Sequence, residues 1–179
     1  MFILYAIPVG ILAGYAVGGR LERLADVQYR LVPLAIAALA VQLALFSPLS
    51  DGLAVDVGRA IYVVSTVGVL AVVVANVRLT GIPIVLVGAV SNVAAILANG
   101  LAMPANAGAL ASIGSVVRPG TNSVAVDHPN LEPLTDIFAT PPWLPLANVF
   151  SVGDVLIGLG VAVAIAAAMR GPRSGRPEA

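Results

Sequence analysis

Two acids in the C-terminal half have the type and spacing that hydrolytic chemistry uses. Asp136 stands in Leu134-Thr135-Asp136-Ile137-Phe138, and Asp154 in Phe150-Ser151-Val152-Gly153-Asp154. Two carboxyls that share a proton divide the work of hydrolysis. One takes a proton from water while the other, protonated, polarises a scissile carbonyl. The stretch between them turns through Pro141-Pro142, which suits a chain that leaves one element, loops and enters a helix. Asp154 also has a reading that needs no chemistry. Ser151-x-x-Asp154 has the form of a helix cap, with Ser151 at the N-cap and the acid facing free backbone N–H groups.

Other polar residues sit in apolar surroundings, where each needs a reason. Gln42, Ser65, Asn76 and Asn92 are the clearest. Gln42 and Asn92 lie well inside their segments and are expected to hydrogen-bond between helices. Asn76 lies near a segment end, as a cap or interface residue. Asn92, Asn99, Gly100, Met103, Pro104 and Ser151 are the candidate binding residues. His128 is the single histidine. With Asp127, Glu132 and Asp136 it makes a carboxylate-rich group, but no helical ligand pair accompanies it, so no metal is expected. No phosphate loop, dinucleotide glycine motif or nucleophile elbow occurs, and no cofactor is expected.

The elements that must position these residues are apolar. The chain has 179 residues, of which 59% are hydrophobic and only 10% charged, where a soluble domain carries roughly 25%. Mean hydropathy is +1.01. So few charges cannot wet a globular surface, which excludes a soluble globule, a disordered chain and a nucleic-acid binder with a basic face. An integral membrane protein remains. There is no cysteine, hence no disulfide framework, thiolate site or Cys nucleophile. All nine basic residues are Arg, a usage that suits a GC-rich bacterial genome.

An all-α bundle of about five transmembrane helices is expected, as one membrane domain. The spans cover about 2–18, 31–46, 60–77, 82–98 and 151–169. Arg20, Arg23, Arg30, Arg78, Arg170, Arg173 and Arg176 fall on one side of these spans, and only Arg59 and Arg118 on the other. The positive-inside rule then puts the N-terminus outside and the C-terminus in the cytoplasm of a bacterial plasma membrane. Residues 99–150 hold seven prolines and read as an extracytoplasmic segment, too long for a simple connector. Ala107–Val117 is expected as a short surface helix, and Trp143 at the headgroup level. Gly10, Gly14 and Gly18, and likewise Gly88 and Asn92, recur at intervals of four, a spacing that permits close helix contact.

Two resemblances attach to these motifs. Asn99-Gly100-Leu101-Ala102-Met103-Pro104 and Val149-Phe150-Ser151-Val152-Gly153-Asp154, with the span pattern, resemble an uncharacterised bacterial integral-membrane family, a domain of unknown function. Leu134 to Leu159 resembles the C-terminal part of lipoprotein signal peptidase (signal peptidase II), a four-span aspartyl protease. That resemblance implies Asp136 and Asp154 as catalytic aspartates on the outer side. The peptidase's G-N-x-x-D-R run has no counterpart here, and Ser151 and Gly153 replace its Asn and Ala.

Three functions compete. The first expectation is a non-enzymatic membrane module or subunit that docks a partner through its outer segment. The second is a membrane-embedded aspartyl hydrolase acting on a lipid-anchored substrate. The third is a binder of a lipid or another apolar small molecule. The expected partners are membrane lipid and a membrane protein or lipid-anchored substrate, with no nucleic acid.

Overall fold

The computed structural model describes residues 2–45, 47–50, 52–114, 123–125 and 128–171. Asp51, Arg118, Asp127, Arg173 and Arg176 lie outside the described residues. The chain is mostly helical. A 3-10 turn, Phe2–Tyr5, leads into α1, Ala6–Ala16. Then follow α2 (Val32–Leu45), α3 (Val55–Ala75), α4 (Ile82–Ala98), the short α5 (Ala107–Ser112) and α6 (Val152–Arg170). Two of them, α3 with 21 residues and α6 with 19, are long and apolar enough to cross a membrane. The apolar stretches Ile3–Ala16, Val32–Leu45 and Ile82–Ala98 are shorter.

The helix α3 starts five residues before the apolar run expected from Ala60. A charge such as Arg59 limits contact with lipid, but it does not interrupt backbone hydrogen bonding, so the helix extends past it. In α5 the helix ends at Ser112, and Gly114 follows in the left-handed region at φ 63°. Val117, where that helix was expected to end, lies outside the described residues. Asn106 caps α5, its side chain accepting from Ala109 N at 3.1 Å.

Helix α6 is the centre of the bundle, packed against α1 and α4, while α2 pairs with α3 and α3 with α4. Small residues allow the close packing. Gly10 lies against Ala162 and Ile165, and Gly14 against Met169, which is fully buried. Gly81 starts α4 with φ 88°, and a Cβ there would meet the backbone of Gly160 and Ala164. Only glycine satisfies both demands.

Two clamps secure the end of the bundle that carries the arginines. The Arg23 guanidinium donates to the carbonyls of Met169, Arg170 and Gly171 at 3.4, 3.1 and 3.3 Å. These carbonyls lack partners inside α6, and a cation suits the negative end of its dipole. Asn76, buried at the end of α3, grips the backbone of Arg30. Its Nδ2 donates to Arg30 O at 2.9 Å and its Oδ1 accepts from Arg30 N at 2.8 Å.

At the other end the mostly helical chain also carries short strands. Two small sheets form within residues 99–150. Strand β1 (Met103–Ala105) pairs in parallel with β2 (Ser123–Ala125). Strand β3 (Phe138–Ala139) pairs antiparallel with β4 (Val149–Phe150). Prolines and glycines keep this stretch out of helices, yet all three residues of β1 are buried. Buried extended backbone must find partners for its N–H and C=O groups, and neighbouring extended segments supply them.

Candidate functional site

The β3–β4 hairpin brings the two acids near enough for the charge of Asp154 to act on Asp136. Phe138 pairs with Phe150 and Ala139 with Val149, and the two Phe rings stack at 5.5 Å. Asp136 precedes this ladder and Asp154 follows it, so the chain returns to the level it left. Thr140 fastens the far end: its N–H donates to Asn148 O at 3.0 Å, and its hydroxyl oxygen accepts from Asn148 N at 2.8 Å. On its other side Asp136 lies beside β1. Its N–H donates to Pro104 O, and its carbonyl accepts from Asn106 N, both at 3.0 Å. The 3-10 turn Glu132–Leu134 comes just before, and Leu134 packs on the cluster of Ala95, Ile96 and Met103.

The Asp136 carboxyl is 7% exposed, and its Oδ1 is buried without a hydrogen-bond partner. Burial removes the charged form from water, and the negative charge of Asp154 opposes a second one nearby. These causes, in that order, raise its pKa from 3.8 to about 7. Asp136 therefore keeps its proton up to neutral pH.

Asp154 is surrounded by donors. Its N–H donates to Ser151 Oγ at 3.0 Å, while its own Oδ2 accepts from Ser151 N at 3.3 Å, completing a capping box. Ser151 Oγ donates to Asn92 Oδ1 at 2.9 Å, and Asn92 Nδ2 donates to Asp154 Oδ1 at 2.8 Å. The hydrogen bonds run round the ring in one sense. The Ser151 hydroxyl proton points to Asn92 while its oxygen receives the Asp154 N–H. The Asn92 amide must then turn its NH₂ to Asp154. Both oxygens of Asp154 thus accept hydrogen bonds.

Backbone contact between α4 and α6 makes the ring reachable. A Cβ on Gly153 would collide with Asn92 Oδ1 and lie 2.8 Å from Gly88 O. A Cβ on Gly88 would collide with Gly153 O and lie 2.9 Å from Ile157 N. With both absent, the short Asn92 side chain spans the two helices. Ser151 is completely buried, which a hydroxyl tolerates only with its hydrogen bonds made.

Of the candidate binding residues, Asn92 and Ser151 join Asp154 directly, and Pro104 holds Asp136 through its carbonyl. Met103 is a core residue, 4% exposed. Asn99 and Gly100 serve a separate turn. Asn99 Oδ1 accepts from Asn130 N and its Nδ2 donates to Asn130 O, both at 2.8 Å. Gly100 and Leu101 both take positive φ, 68° and 65°. Gln42 donates to Ser65 Oγ at 3.3 Å between α2 and α3. His128 is exposed, and among the described residues no three His, Cys, Asp or Glu side chains gather as a metal requires.

Sequence reasoning missed the Asn130 partner of Asn99 and the Arg23 clamp. An exposed Asn and one more arginine in a basic loop carry no pattern that marks them.

The chain belongs to a family of unknown function (DUF5317), whose model matches residues 26–166. It matches no curated protein and no solved structure, lipoprotein signal peptidase included.

Proposed function

We propose that this member of the family is a multi-pass protein of the bacterial plasma membrane that hydrolyses a membrane-anchored substrate, with Asp136 as acid and Asp154 as base. One observation carries the reading: a buried Asp136 whose Oδ1 has no hydrogen-bond partner and whose pKa is raised to about 7, near an Asp154 whose two oxygens both accept hydrogen bonds. A carboxyl whose surroundings favour its protonated form, set near a second carboxyl, suits the role of acid.

The reaction follows from the assignment. Asp154 takes a proton from water, and the water oxygen bonds to the substrate carbonyl carbon. Asp136 gives its proton to the carbonyl oxygen. When the tetrahedral species collapses, the bond to the leaving group breaks and that group takes the proton from Asp154. Asp136 recovers a proton from the former carbonyl oxygen. Asp154 is the third residue of α6, about 3 Å below its first residue at 1.5 Å per residue. A scissile bond just at the membrane boundary is therefore in reach, which suits a lipid-anchored substrate.

Five spans are the reading best supported for the bundle. Large apolar side chains are exposed along all five long helices, among them Leu12, Ile36, Val64, Val87 and Leu159. Water would penalise that surface, and lipid would not. Among the described residues Arg20, Arg23, Arg30, Arg78 and Arg170 stand at one end and Arg59 at the other, which supports a cytoplasmic C-terminus.

The reading of a non-enzymatic module that docks a partner has its own observation. The capping box accounts for Asp154 structurally, and Trp143 is 78% exposed in the outer segment. The experiment that separates the two is cleavage of a lipid-anchored reporter peptide by protein in proteoliposomes. Asp136→Asn and Asp154→Asn should each abolish cleavage with helical content unchanged. Equal cleavage by both variants removes the hydrolase.

A further inference from the structure

We infer that the cleft at the arginine-rich end of the bundle holds an anionic phospholipid of the inner leaflet. The cleft has a volume of about 140 Å³ and is lined mainly by apolar side chains, among them Val27, Leu79, Ile82, Ala164, Ala167 and Ala168, with the hydroxyls of Tyr29 and Thr80. An apolar cavity of roughly this size accepts a benzene-sized hydrocarbon. That is room for a short stretch of one acyl chain, not for a whole lipid.

The position along α6 suits this occupant. Ala168 and Ala164 lie two and six residues before Arg170, the last residue of the helix. That puts them about 3 and 9 Å from its end, at the depth of the first methylenes beneath a headgroup. Alanines are short, which leaves room for a ligand along this face of α6.

The rim carries the charge. Arg30 follows Tyr29 and Arg78 precedes Leu79, so each is one residue from the lining. The Asn76 clamp holds the backbone of Arg30 to the end of α3, two residues from Arg78. The clamp thus keeps the backbone of Arg30 close to that of Arg78. Both side chains are exposed, and neither has an ion pair among the described residues, whereas Arg20 is paired with Glu22. Tyr29 and Thr80 add hydroxyls. An apolar slot with unpaired arginines at its mouth matches a phosphodiester above an acyl chain, and basic pockets between spans at the cytoplasmic face bind such lipids. A second copy of the chain would bring arginines against arginines, and a soluble anion would leave the alanine wall unused.

The site is separate from the carboxylate pair and rests only on the membrane reading. The test uses the whole protein in nanodiscs of equimolar phosphatidylglycerol and phosphatidylcholine, with retained lipid read by native mass spectrometry after detergent exchange. The protein should retain phosphatidylglycerol preferentially. Arg30→Gln combined with Arg78→Gln should lower that preference about thirtyfold, at roughly fivefold per arginine. Ala167→Leu, which fills the cleft and leaves the charge intact, should also abolish it. Arg20→Gln, an equal loss of charge on the same face, should not change it. The inference is overturned by equal retention of the two lipids, by an equal effect of Arg20→Gln, or by an unchanged preference in Ala167→Leu. Displacement of the lipid by inorganic phosphate would reduce the site to an anion site and overturn it too. A protein that retains neither lipid and leaves the membrane fraction overturns the membrane reading along with it, whereas loss of reporter cleavage alone bears only on the carboxylates.

Discussion

Burial favours the neutral form of a carboxyl, and at Asp136 this has a sign that can be measured. Its pKa in the folded protein, about 7, exceeds its ordinary value of 3.8. Folding therefore takes up a proton between those values. The stability contribution is fully present below about pH 3.8, declines as pH rises, and is gone above about 7. Thermal melts at pH 5 and pH 8 should show the wild type losing stability as pH rises, up to a few kcal/mol. Asp136→Asn should flatten that dependence and exceed the wild type at pH 8. If Asp136 is the catalytic acid, reporter cleavage should fall as pH rises through about 7 in the wild type. Asn92 makes a second residue-scale claim. Asn92→Ala strips a donor from Asp154 and an acceptor from Ser151, both in low-dielectric surroundings, and should cost about 1–3 kcal/mol. A loss below about half a kcal/mol would mean the ring is not closed in solution. The two residues differ in how plainly the sequence marks them. Asn92 stands out because an amide in an apolar run needs a partner. The burial of Asp136 is invisible locally, because β1, which pairs with its backbone, lies about thirty residues earlier in the chain.

Elements show the same division between local and remote causes. The five long helices follow the apolar runs because hydropathy and periodicity act within one segment. Their ends were less legible: α3 runs back past Arg59, since charge and backbone pairing obey different limits. The small sheets were not legible at all. Each strand is two or three residues long, too short for an alternation pattern, and each is set by a partner far along the chain. The four-residue glycine spacing was visible, but its target was not, and the glycines of α1 and α4 are spent on α6. This yields a paired prediction. Gly153→Ala places a methyl onto Asn92 and the Gly88 carbonyl and should destabilise by about 1–3 kcal/mol, with reporter cleavage falling as the ring opens. Gly58→Ala, in α3, meets nothing nearer than Leu45 Cδ1 at 3.8 Å. It should stabilise by about 0.5–1 kcal/mol through the helix preference of alanine. Equal effects in thermal melts would show that helix propensity, not the α4–α6 contact, governs both.

At the scale of the whole molecule, α6 joins everything the function needs. Its first turn carries Ser151 and Asp154, its middle packs on α1 and α4, and its last carbonyls are held by Arg23. If α6 spans the bilayer, the carboxylates and the arginine clamp lie on opposite faces, and the orientation follows from the arginines. Two positions that flank this one helix test the arrangement. Trp143 lies before it and is 78% exposed, and Ser174 lies after it, outside the described residues. The chain has no cysteine, so single substitutions give clean labelling. Trp143→Cys should react with a membrane-impermeant maleimide in intact cells, while Ser174→Cys should react only after permeabilisation. The reverse pattern would turn the molecule over and put the carboxylates in the cytoplasm, with no access to an extracytoplasmic substrate. Reaction of both from outside would mean that α6 does not cross the membrane. The carboxylate pair would then lie away from a bilayer boundary, and the cleft at the other end of α6 would have no inner leaflet to face.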